Sequence, residues 1–142
     1  MTFSMGEIKK ICKERGCAFR AASLFGISKN DSGKCDFYVE AADAAYAVKV
    51  LTVGEDAERV YFKNVGGYIT VKGASGETDY LWKEPCFTAK MGGSKEPIGI
   101  LLLDRDVPAT ELSKNCAVTV TSGAKVFGCR VYTPSAFVKL LG

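Results

Sequence analysis

Asp36, Tyr38, Glu40 and Lys49 are the side chains whose types and spacing most directly suggest chemistry in this 142-residue chain. They sit in two alternating runs: Phe37 and Val39 interleave with Asp36, Tyr38 and Glu40, and Tyr46, Val48 and Val50 interleave with Ala47 and Lys49. A period of two predicts a β-hairpin over 35–41 and 45–53, with Phe37, Val39, Tyr46, Val48 and Val50 on its buried face. With the turn centred on Asp43 and Ala44, Glu40 is expected opposite Ala47, Tyr38 opposite Lys49 and Asp36 opposite Leu51. Directly opposed side chains lie about 5 Å apart, so Glu40 would project beside Ala47 on the polar face. The plainest reading of that face is a solvated one, on which Lys49 offsets Glu40 for a fraction of a kcal/mol.

The chain has no histidine. That removes Ser-His-Asp and Cys-His catalysis and the usual general base at neutral pH, and it disfavours zinc. The six cysteines, Cys12, Cys17, Cys35, Cys86, Cys116 and Cys129, form no CxxC pair and are expected to be buried thiols. Asp104, Arg105 and Asp106 follow an apolar run at the end where open α/β sheets place ligands, although a helix cap with a flanking ion pair explains them as well. Tyr61, Tyr68, Tyr80 and Trp82 interleave with Lys63, Lys72 and Lys83, a combination suited to stacking bases and neutralising phosphates, or simply to packing across strands.

The elements that would position these groups can be read in order. Residues 6–16 carry Ile8, Ile11 and Cys12 at amphipathic spacing with Gly16 as a stop, which predicts a short helix. A strand is expected within 17–27, followed by the turn-rich stretch 28–33. After the first hairpin, 59–63 and 68–72 predict a second around Asn64-Val65-Gly66-Gly67, and 73–97 read as loops about one strand or turn at Tyr80-Leu81-Trp82. Residues 98–103 are apolar without alternation, the pattern of a central strand covered on both faces. A helical turn is expected over 106–112, strands over 117–121 and 125–132, and a closing helix from Thr133-Pro134-Ser135 to Leu141. The expected class is therefore α/β, more closely mixed α+β: a central mixed sheet with a helix at each end of the chain and two β-hairpins, as a single domain over 1–142. Hydrophobic residues make up 47% and charged residues 25%, and the mean hydropathy is +0.05, values of a folded soluble protein. With no spanning run and no basic-then-apolar leader at the start, a cytoplasmic location without membrane contact is expected.

The order helix, three strands, insertion, buried strand, helix, strand, helix resembles the restriction-endonuclease-like core. Within it, 35–50 resembles the metal-binding hairpin of the PD-(D/E)xK nucleases, in which an acidic residue starts one strand and a (D/E)xK triplet lies on the next. Asp36 matches the first acidic position and Lys49 the lysine, but the triplet reads Ala47-Val48-Lys49, without its carboxylate. The resemblance implies a hard cation such as Mg²⁺ on Asp36 with Glu40 supplied from the neighbouring strand, and Asp36, Glu40 and Lys49 as the catalytic set. Residues 1–35 carry seven basic against three acidic side chains within a chain of net charge +3, so Lys9, Lys10, Lys13 and Arg15 are the expected backbone contacts to DNA. The alternatives left open are an active nuclease, a degenerate one that has lost catalysis, and a non-enzymatic module that binds a protein partner through an aromatic hairpin around 68–82.

Overall fold

The computed structural model describes residues 2–23, 26–63, 67–83, 96–112 and 119–142. In chain order the elements are α1 (Met5–Glu14), β1 (Ala18–Ala21), β2 (Phe37–Glu40), β3 (Ala45–Leu51), β4 (Ala57–Lys63), β5 (Tyr68–Gly73), β6 (Gly76–Leu81), β7 (Pro97–Leu103), β8 (Ala109–Glu111), β9 (Lys125–Val126), β10 (Cys129–Tyr132) and α2 (Pro134–Leu140). The protein is mixed α+β, with a helix at each end of the chain and two mixed sheets of six and four strands, ordered β1-β2-β3-β7-β10-β9 and β6-β5-β4-β8.

β7 explains the layering. Ile100, Leu101, Leu102 and Leu103 are all fully buried, each contributing about 1.5–3 kcal/mol of burial free energy. Ile100 and Leu102 join Phe37, Val39, Val48, Val50 and Phe137 in one core. Leu101 and Leu103 join Val60, Phe62, Ile69 and Val71 of the smaller sheet in the other. One face of the large sheet thus carries the helices and the opposite face the second sheet. β3 and β7 run parallel, and the chain between them builds β4, β5 and β6 where a parallel crossover commonly builds a helix.

α1 begins at Ser4, whose hydroxyl accepts from the Glu7 amide, and buries Ile8 and Cys12. Burial, reinforced by Cys17 and opposed by Arg15, pushes the Cys12 thiol from 9.0 up to about 11. The folded protein therefore keeps a proton that the unfolded chain releases, so stability is full below about pH 9 and is lost as pH rises toward about 11, by roughly 2 kcal/mol. The stability gap between wild type and Cys12→Ala, followed by urea unfolding, is expected to narrow by that amount over the same window. A constant gap would show that the thiol titrates freely.

Two expectations change. Residues 106–112 do not form a helix: Ala109–Glu111 is β8, parallel to β4, because Val60 and Tyr61 offer a sheet edge there. Residues 125–132 are not one strand but a hairpin, with Phe127 at φ 54° and Gly128 at φ 79° forming the turn. A phenylalanine in the left-handed region is costly. Here its ring stacks on Trp82 at 5.2 Å and meets Phe62 edge-on at 6.4 Å, contacts that tertiary packing supplies and local sequence does not announce. The one strand expected within 73–97 is β6, which pairs with β5 and begins earlier than Tyr80, and residues 84–95 of that stretch lie outside the described residues. Of the strand expected over 117–121, residues 117 and 118 lie outside the described residues, while Thr119 bridges Glu111.

Candidate functional site: a buried Asp–Lys–Ser cluster

The first hairpin has the two faces expected of it but a different register. Phe37 pairs with Val48, Tyr38 with Ala47, Val39 with Tyr46 and Glu40 with Ala45. The turn is centred on Ala42 and Asp43, closed by the Ala41 amide donating to Ala44 O at 2.8 Å. Glu40 therefore does not stand opposite Ala47, and it lies four residues from Asp36, about 13 Å along the strand. Tyr38 faces Ala47 instead, and the two pack together with Cys35. The Arg20 guanidinium lies 4.9 Å from the centre of the Tyr38 ring. A carboxylate at position 47 would be buried against a phenol ring, which gives alanine a packing reason.

One pair beyond Phe37 and Val48, the same register sets Asp36 against Lys49. The polar face expected in solvent is not solvated at this end: Asp36 is 2% exposed and Lys49 1%. The Asp36 carboxylate accepts from the Ser28 amide at 2.7 Å, the Ser28 hydroxyl at 2.7 Å, the Val50 amide at 2.7 Å and Lys49 Nζ at 3.4 Å. Lys49 Nζ also donates to Ser28 Oγ at 2.8 Å and Ser28 O at 3.1 Å. Burial lowers the Lys49 pKa, with the Asp36 charge pulling it back up. Two opposite charges removed from water are tolerable only when both are hydrogen-bonded this completely.

Ser28 is held by its own loop. Asn30 uses its side-chain amide as a surrogate peptide group, donating to Thr52 O at 2.9 Å and accepting from the Thr52 amide at 2.8 Å. This fastens the loop to the end of β3. The sequence marks 28–33 as turn-rich and no more. A serine eight residues before an aspartate has no local pattern that would predict their contact.

The other candidates separate. Lys9, Lys10 and Lys13 are exposed on the outer side of α1, opposite the buried Ile8 and Cys12. Arg15 is exposed as well, but its guanidinium donates to the Val138 carbonyl of α2. Asp104 accepts from the Val53 amide at 3.1 Å and pairs with Arg105 at 3.6 Å, and Asp106 accepts from the Ser135 amide at 3.2 Å. These acids brace β3 and α2 rather than cap a helix of their own. Tyr80 and Trp82 pack against the second core, leaving Tyr68 and Leu81, opposed across β5 and β6, as its exposed apolar pair. Among the described residues no group of three or more His, Cys, Asp or Glu side chains is placed to hold a metal ion, and no helix is long and apolar enough to cross a membrane. Comparison with protein-family models, curated proteins and solved structures finds no match.

Proposed function

We propose that this chain is a nucleic-acid-associated domain of restriction-endonuclease-like architecture that does not cleave nucleic acid, with Asp36 and Lys49 held as a buried ion pair in place of a metal site. The observation that carries this reading is the use of the Asp36 carboxylate by four protein donors, beside an Ala47 packed under Tyr38. Mg²⁺ needs several oxygen ligands with room to coordinate. One saturated carboxylate, with Glu40 across from Ala45, does not fit it, so no step is drawn through a metal. The architecture draws support from the order α1, an antiparallel β1-β2-β3 meander, and β7 parallel to β3.

Nucleic-acid association is supported by Lys9, Lys10 and Lys13, which present their charge outward on one helix. A cytosolic location belongs to the same proposal, supported by the thiols Cys12 and Cys17, which remain unoxidised. Fluorescence anisotropy with labelled duplex DNA across a salt series tests the reading. Binding is expected to weaken with salt, and the triple variant Lys9→Glu, Lys10→Glu, Lys13→Glu is expected to flatten the log–log slope by about 2–3. Binding that ignores both salt and the triple variant, or DNA cleavage with Mg²⁺ present, would overturn it.

A second reading, a non-enzymatic protein-binding module, is favoured by one observation: Leu81 is 57% and Tyr68 42% exposed at directly opposed positions. Trp82, stacked on Phe127, would serve that interface from beneath rather than by contact.

A further inference from the structure

Ser28 is the one member of the buried cluster that reaches the surface, and its surroundings are those of an activated nucleophile. Its Oγ is flanked by Asp36 Oδ1 at 2.7 Å and Lys49 Nζ at 2.8 Å. The hydroxyl has a single proton to donate, and an ammonium can only donate. The Lys34 carbonyl competes for that proton at 3.3 Å, so the shorter contact directs it to the aspartate. A hydroxyl held between a proton acceptor and a cation is the arrangement that covalent catalysis requires: the acceptor takes the proton as the oxygen attacks, and the cation offsets negative charge on the oxygen.

Two pockets meet at this residue. One, of about 580 Å³, is lined by Ser28 together with Ser23, Gly26, Gly33, Lys34 and Tyr38 among others. The second, of about 400 Å³, is lined by Ser28 with Lys29, Asn30, Thr52 and Tyr80 among others. The first falls within the size range of small-molecule sites. A substrate whose reacting carbon sits at Ser28 would place its acyl part in one pocket and its leaving group in the other. Each lining pairs one lysine with one aspartate, Lys34 with Asp36 and Lys29 with Asp31, so neither pocket selects a substrate by net charge.

We propose that Ser28 is an acyl-accepting nucleophile for small esters, with Asp36 as its proton acceptor and Lys49 as the cation beside the reacting oxygen. Ser28 Oγ bonds to the ester carbonyl carbon and its proton moves to Asp36 Oδ1. The carbon–oxygen bond to the leaving group breaks, and the leaving oxygen takes the proton from Asp36. Water then attacks the acyl-serine, releasing a carboxylic acid and restoring the hydroxyl. The proposal does not depend on nucleic-acid binding and survives or fails separately from it.

The test uses a fluorophosphonate probe, which forms a phosphorus–oxygen bond to an activated serine with loss of fluoride. On the full-length protein, intact mass is expected to show one adduct, and peptide mapping to place it on Ser28. Ser28→Ala, checked for folding by its thermal melt, should lose the adduct entirely. Asp36→Asn, where it folds, should label about 100-fold more slowly. No adduct on the wild type, an adduct on Cys35 or on another serine, or labelling that persists in Ser28→Ala would each overturn the assignment, and the mapping on wild type decides even if a variant does not fold.

Discussion

Asp36→Ala is expected to cost about 3–5 kcal/mol of folding stability. The substitution leaves the Lys49 ammonium, 1% exposed, without its counter-ion, and it strips the partner from the Val50 and Ser28 amides. The Val50 amide then stands in a region that water reaches poorly, and the cost of leaving it unsatisfied adds to that of the unpaired charge. Urea unfolding reads the effect as a lower midpoint at unchanged slope. The double variant Asp36→Ala, Lys49→Met removes both charges and is expected to recover part of the loss, since replacing a whole buried pair is far less damaging than breaking it. A loss below about 1 kcal/mol for Asp36→Ala would mean that the pair is hydrated and behaves as a surface ion pair.

Phe137→Ala is expected to cost about 3–5 kcal/mol as well, by a different route. Phe137 is fully buried, and its ring meets Phe37 at 6.1 Å, Tyr46 at 6.3 Å and Tyr132 at 6.3 Å, each edge-on. These contacts join β2, β3 and β10 under one helix. α2 has seven residues, too few to be helical without tertiary support, so the cavity left by the ring also loosens the element that carried it. The same urea experiment reads it, and Phe137→Leu is expected to retain more than half of the lost stability. Equal losses for the two variants would show that the site tolerates no change of shape at all.

What the sequence made legible follows the range of the forces involved. The apolar run of β7 and the alternation in β2 and β3 are local patterns set by burial, and both faces of that hairpin are correct because parity survives a shift by a whole pair. The register moved by one pair because the turn centres on Ala42 and Asp43, and alanine carries no turn chemistry to fix the centre from sequence. β8 was hidden behind Asp106-Val107-Pro108, which has the residues of a helix start but meets the free edge of β4. The β9–β10 turn was hidden because the first of its two left-handed residues is Phe127, where glycine or asparagine is the usual signal; the Trp82 and Phe62 rings hold it.

At the site, Asp36 and Lys49 were visible as residue types, but their burial was not. Alternation predicts which face a side chain takes and says nothing of what covers that face. The cover is the loop that brings Ser28 onto both charges and fastens Asn30 to Thr52, contacts separated by 8 to 22 residues.

The account rests on Asp36 and Lys49 forming a closed ion pair rather than a cation site. The most direct measurement is the thermal melt of the wild type with and without a few millimolar Mg²⁺ or Mn²⁺, because a ligand bound only by the folded state raises its melting temperature by mass action. The expected result is the same melting temperature with either metal as with none. A metal-dependent rise that Asp36→Asn abolishes would contradict the account, since it would mean that the carboxylate gives up its protein donors to hold a cation.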